Sequence, residues 1–134
     1  DVCSSDLLPY PVYLYRLGRA GQSMELKNMQ KNCAQHEKVL KRVLKEYKKR
    51  ESREIYRRYL ARGAARLAAS QVKIYLSYPM GKKYKRKIVL FQKKLKKNYP
   101  EVYSANENKA VDFLRKTHFL FYPLATFLVR RKMY

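Results

Sequence analysis

Leu26, Met29, Cys33, His36, Leu40, Val43 and Tyr47 recur at alternating steps of three and four. That spacing returns one apolar position to the same helical face on every turn. It predicts a helix beginning near Met24, with Ser23 as N-cap and Glu25 in the first turn, where a carboxylate suits the helix dipole. His36 falls within the stripe and reads as a partly buried histidine rather than a ligand or base, because no second His or acid stands at matching spacing. Beyond Tyr47 the seam fails, since Arg50, Glu51 and Glu54 occupy the next positions. One helix from 24 to 78 would also run about 80 Å. A break is expected between Lys49 and Arg53.

A second stripe follows through Tyr56, Tyr59, Leu60, Gly63, Ala64, Leu67, Gln71, Ile74, Tyr75 and Tyr78, stopped by Pro79 and Gly81. Its small residues Gly63, Ala64, Ala65, Ala68 and Ala69 permit close approach of a neighbouring helix. A third helix, about Lys82 to Asn98, places Tyr84, Ile88, Phe91 and Leu95 on one face, and Pro100 closes it. Ser104 with Glu107 makes a capping-box pattern for a fourth helix, which carries Val111, Leu114 and His118 inward. The run Phe119 to Val129 is almost wholly apolar, with Pro123 placed for the first turn of a last helix. At the front, Val12, Tyr13, Leu14 and Tyr15 read as one short strand, confined to an edge or a strand start by Pro9 and Pro11. The expected fold is mainly α, an array of four to five helices with one short N-terminal strand.

Composition narrows the class. A chain of 134 residues allows one domain or part of one. With 46% hydrophobic residues and 13 Tyr it is too apolar for a disordered basic tail. The longest apolar stretch is well short of the roughly 20 residues a spanning helix needs. The formal charge of +22 is unevenly placed: residues 1–37 are neutral, and from Lys38 onward 28 basic side chains face 6 acidic ones. Lys82, Lys83, Lys85, Arg86, Lys87, Lys93, Lys94, Lys96 and Lys97 have no acid among them. Such a run is either a solubilising face or a surface for a polyanion, and non-specific polyanion binding follows from the charge in either case.

The first seven residues, Asp-Val-Cys-Ser-Ser-Asp-Leu, fit neither a signal peptide nor a translation start and resemble the translation of a short-read sequencing adapter. Residues 1–7 are therefore set aside as an adapter-like artefact. Cys3 then drops from the count, and Cys33 stands without a disulfide or metal partner, as a structural thiol.

Chemistry for catalysis is thin. Most of the carboxylates Glu25, Glu37, Glu46, Glu51, Glu54, Glu101 and Glu107 lie within helical reach of a Lys or Arg, which is surface pairing. No paired-Asp metal motif, phosphate-cradling Gly loop, Cys or His cluster or Ser-His-acid set can be assembled. No catalytic residue is assigned, and the fragment is expected to be inactive. The segment Tyr13-Leu14-Tyr15-Arg16-Leu17-Gly18-Arg19-Ala20-Gly21-Gln22-Ser23 stands apart. It sets two Arg, an amide and a hydroxyl on a turn leading to a helix N-terminus, which suits phosphate oxygens. An ordinary strand, turn and N-cap accounts for most of the same residues.

This segment, its following Lys-rich helix, and the later stretch Asn108-Lys109-Ala110-Val111-Asp112-Phe113-Leu114-Arg115-Lys116-Thr117-His118-Phe119 resemble the C-terminal portion of bacterial family 2 glycosyltransferases, over approximately residues 8–134. These enzymes build capsular or exopolysaccharide repeat units. The resemblance implies a GT-A type enzyme whose α/β nucleotide-sugar domain, with its Asp-any-Asp metal motif and Mg or Mn, is missing here. Residues 8–23 would be the end of that catalytic domain, and residues 24–134 its C-terminal helical region. Arg16, Arg19, Gln22 and Ser23 would contact diphosphate or acceptor; no cofactor is implied for the fragment itself. Nucleotide-sugar and a lipid-linked acceptor would be the whole enzyme's partners, at the cytoplasmic, inner face of the membrane.

The apolar run fits that location. Phe119, Phe121, Tyr122 and Phe127, with Arg130, Arg131 and Lys132, suit a helix lying peripherally on an anionic membrane surface. Docking of the same run into the core, or onto the missing domain, is the equal alternative. A different class also fits the charge: a small basic helical nucleic-acid-binding protein, for which aromatics must be exposed on the basic face. The Tyr residues mostly fall on the apolar stripes, which speaks against stacking platforms.

Overall fold

The computed structural model describes residues 26–49 and 54–131. The expected front strand, the Ser23 cap, Arg16, Arg19, Gln22 and Lys132 lie outside the described residues, as do residues 50–53. Among the described residues the chain is all helix and turn: α1 (Leu26–Lys31), α2 (Cys33–Lys49), α3 (Glu54–Ser77), α4 (Lys82–Asn98), α5 (Pro100–Ser104), α6 (Lys109–Lys116) and α7 (Tyr122–Arg131). The fold is mainly α, as the periodicity predicts.

Seven segments replace the four to five expected, for local reasons. The first helix is interrupted at Asn32 yet keeps its hydrogen-bond register: Asn32 N donates to Asn28 O at 3.0 Å and His36 N to Asn32 O at 2.9 Å. Pro100 does more than end α4. It opens α5, where a residue lacking an N–H costs nothing. Ser104 is thereby drawn into the end of α5, its hydroxyl donating back to Glu101 O at 3.1 Å. The capping box expected from Ser104 and Glu107 does not form. Asn108 caps α6 instead, its Oδ1 accepting from Ala110 N and Val111 N, both at 3.1 Å.

α3 is the axis of the molecule. Its 24 residues span about 36 Å, and α1, α2, α4, α5 and α7 all pack on it. In its first half Ala61, Ala64, Ala65 and Ala68 meet Leu40, Leu44 and Tyr47 of α2, with Leu95 and Val102 closing the cluster. The small residues do permit close packing, as their spacing suggests, although Gly63 points away, exposed. In its second half only Lys73 escapes burial between Gln71 and Ser77, so the helix is enclosed on nearly every side. There Val72, Tyr75 and Leu76 pack with Ile88, Val111, Leu114 and Tyr122.

Two stripe positions behave otherwise. Tyr56 and Tyr59 are exposed, at 44% and 76%. His118 does not turn inward either. After α6, Phe119 N donates to Leu114 O at 2.8 Å and His118 N to Arg115 O at 3.2 Å, the paired bonds of a Schellman ending. That ending puts His118 (φ 48°) and Phe119 (φ 61°) in the left-handed region, where non-glycine residues are strained. His118 is left exposed, while Phe119 packs against the second core cluster.

Candidate functional site

Three features carry polar or apolar chemistry beyond ordinary packing. The first is a polar knot where α2, α3 and α4 meet. Cys33, His36 and Glu37 share one face of α2 by their i, i+3, i+4 spacing. The fully buried Gln71 amide lies within hydrogen-bond distance of both His36 Nδ1 (2.5 Å) and Cys33 Sγ (3.4 Å). Glu37 Oε1 accepts from Tyr75 OH at 2.7 Å and from Lys87 Nζ at 3.3 Å. Burial pushes the Glu37 carboxyl up, but the Tyr75 hydroxyl and the charges of Lys87 and Lys41 outweigh it and hold the group below the usual carboxylate value. Tyr75 is pushed well above the ordinary phenol value by burial and by its bond to Glu37. Burial and the neighbouring Cys33 push Tyr78 up to about 12. Tyr78 OH donates to Gln30 O at 3.1 Å and its ring stacks on Tyr84 at 4.3 Å. Every group here is occupied by another, which is the signature of a satisfied structural network. His36 is partly buried, as its place in the stripe predicts.

The second feature is the cationic strip on either side of this knot. Lys41 and Lys48 on α2 share a face with Glu37, and Lys83, Lys87 and Lys94 lie on the neighbouring flank of α4. Lys48 Nζ sits 5.0 Å from the Tyr99 ring centroid and Lys87 Nζ 5.0 Å from that of Tyr75. Both contacts are cation–π pairs that fix the ammonium groups above the protein surface. These tyrosines lie under the lysines and offer no free ring.

The third feature is the apolar face of α6 and α7. Phe113, Leu120, Phe121, Leu124, Phe127 and Leu128 are all exposed, between 45% and 73%. Phe113 and Phe121 touch ring to ring at 5.3 Å. α7 divides the apolar residues between two sides. Leu124, Ala125, Leu128 and Val129 line a groove of about 500 Å³ against α3 and α6. Pro123, Phe127, Arg130 and Arg131 border a shallower cavity of about 390 Å³ with Met80 and Thr126. So many large apolar side chains exposed on one short segment are uncommon on a folded surface and point to contact with something else.

Of the residues singled out from the sequence, Phe121 and Phe127 are exposed, Phe119 is half-buried and Arg131 is exposed beside a half-buried Arg130. Tyr122 is corrected: it is 2% exposed, packs in the core and reaches Gly81 O at 3.5 Å, so it has no surface to offer. Its burial follows from its position on the opposite side of α7 from Leu124 and Leu128. Sequence reasoning missed Phe113, Leu124 and Leu128 as exposed residues, because an apolar run does not show which of its faces a neighbour covers. It also missed Lys73 and Asn108, the polar residues that line the larger groove.

Among the described residues no group of three or more His, Cys, Asp or Glu is placed to hold a metal ion. No described helix is long and apolar enough to cross a membrane. No family model, curated protein or solved structure matches the chain.

Proposed function

We propose that this helical unit is the C-terminal region of a nucleotide-sugar-dependent glycosyltransferase of surface polysaccharide synthesis, and that it rests on the anionic inner face of the cell membrane. The observation that carries the membrane contact is the α6–α7 segment: six large apolar side chains exposed from Phe113 to Leu128, with Arg130 and Arg131 at the end of α7. Aromatic and leucine side chains gain by entering the interfacial region. Each nearby Lys or Arg adds about 1 kcal/mol of attraction to an anionic leaflet. The glycosyltransferase part rests on the resemblance of residues 13–23 and 108–119. In this reading the nucleotide-sugar, the metal and the reaction itself belong to an α/β domain upstream.

Two experiments test it. Vesicle flotation should recover the protein with phosphatidylglycerol vesicles and leave it behind with neutral phosphatidylcholine; equal recovery from the two removes the membrane contact. Reading the native gene upstream should reveal an α/β domain with paired aspartates, and a different domain there removes the enzyme assignment. A second reading, nucleic-acid binding, is favoured by one observation: exposed Tyr56 and Tyr59 stand beside Arg58 and Arg62 at the start of α3. Exposed rings flanked by cations suit base stacking. A preference for one RNA or DNA sequence over another at fixed salt would favour this reading; uniform, salt-sensitive binding would reflect charge alone.

A further inference from the structure

The groove between α3, α6 and α7 is apolar almost throughout. Val72 and Leu76 of α3, Val111 and Leu114 of α6, and Leu124 and Leu128 of α7 line it, while the polar residues on its lining are Lys73 and Asn108. Lys73, Asn108 and Ala69 also line a second, open cavity of about 370 Å³, completed by Ala65, Arg66, Ser70, Asn106 and Glu107. The two cavities thus share a boundary. A mostly hydrocarbon groove adjoins, at Lys73 and Asn108, a cradle whose polar groups are two cations, two amides, a hydroxyl and the Glu107 carboxylate. That is the division of chemistry in an anionic amphiphile, and a slot of about 500 Å³ falls within the range of ordinary ligand sites.

We infer that this paired cavity seats one anionic phospholipid of the bilayer, an acyl chain in the apolar slot and the phosphate at Lys73. The inference rests on the membrane contact proposed above and deepens it, from a surface that touches lipid to a site that holds a single molecule. Glu107 is the one acid of the cradle. It lies 3.6 Å from Arg66 and 3.9 Å from Arg62, and so occupies the arginines that a phosphate would otherwise attract. Lys73 has no carboxylate partner among the described residues and stands at the junction, where chain and headgroup meet. The paired cavity therefore sets apolar surface beside an unpaired cation, as an anionic amphiphile requires.

The test uses the chain as it exists, with lipid monomers instead of vesicles. Dihexanoyl-phosphatidylglycerol below its micelle threshold should bind saturably at one site by calorimetry. Dihexanoyl-phosphatidylcholine should bind about tenfold more weakly or worse, and inorganic phosphate should fail to displace the lipid, because the chain supplies part of the affinity. Leu124→Trp fills the slot from a half-exposed position, and Lys73→Gln removes the headgroup charge; each should weaken the anionic lipid about tenfold. Glu107→Gln should tighten it, since Arg66 and Arg62 are released, and a merely structural Glu107 would give no such gain. Unchanged melting temperatures establish that the variants fold. Equal affinity for the two headgroups, displacement by inorganic phosphate alone, or full affinity in Leu124→Trp overturns the seat. The two proposals fail separately. Flotation with anionic vesicles that persists while monomers do not bind refutes the seat and leaves the surface contact, whereas loss of flotation refutes the contact.

Discussion

Arg115 offers the sharpest test of how the apolar face is held in place. Its side chain is 11% exposed, and it joins three helices. Nε donates to Gln92 Oε1 of α4 at 2.9 Å, Nη1 donates to Tyr103 O of α5 at 2.8 Å, and the guanidinium lies 3.7 Å from the Tyr103 ring centroid. Asp112, one turn earlier on α6, stands 3.6 Å from Nη1. Burial pulls the guanidinium below its ordinary value, against Tyr103 and Asp112, which favour the charge. Hydrogen bonds to a charged group contribute about 1.5–3 kcal/mol each, and a partly desolvated cation–π contact adds about 1–2. These terms share partners and do not add in full. Arg115→Ala should therefore cost about 3–5 kcal/mol, a large part of the roughly 5–15 kcal/mol typical of a folded domain. It leaves Gln92 Oε1 and the Tyr103 carbonyl without a donor, beside a Gln92 Nε2 that already lacks an acceptor. Arg115→Lys keeps the charge but cannot span both acceptors, and should recover less than half of the loss. Urea unfolding followed by circular dichroism measures both, with the midpoint shifting at constant slope. A loss under about 1 kcal/mol for Arg115→Ala would refute the clamp.

Three further outcomes follow from the same packing. Asn108→Ala removes the cap that satisfies two N–H groups of α6 and should cost about 1 kcal/mol by urea unfolding. Ala68→Leu, at a position 2% exposed between α2 and α3, should destabilise by about 1–3 kcal/mol, because the helices cannot part without opening the first core cluster. Glu37 has its carboxyl held low in the folded state, so its contribution is present above the ordinary carboxylate value of about 4.3 and is lost as pH falls through the lower folded value. Comparing urea midpoints near neutral pH and at about pH 3, Glu37→Gln should show a smaller acid-side loss than the parent protein; parallel curves would remove Glu37 from the acid response.

The periodicity of Leu26 to Tyr47, the alanines of α3 and the stripe Tyr84, Ile88, Phe91 and Leu95 were enough to determine a mainly helical body among the described residues, and most of its core. Helical periodicity is a property of neighbouring residues, so it is written in the chain itself. Pro79 with Gly81, and Pro123 near the start of α7, act locally and were legible for the same reason. What the chain could not state was which apolar side a neighbour would cover. Leu124, Leu128 and Tyr122 read alike in sequence, yet Tyr122 is sealed by α3 and α4 while the leucines line an open slot. Tyr56 and Tyr59 kept the right spacing and are nonetheless exposed. Ser104 carried the capping-box spacing, yet the turn begun by Pro100 drew it into α5 and Asn108 became the cap of α6. The joining of an apolar slot to a cationic cradle depends on Lys73 and Asn108, 35 positions apart in the chain, lining both. Proximity across such a separation is decided by the packing of whole helices, and only the tertiary structure carries it.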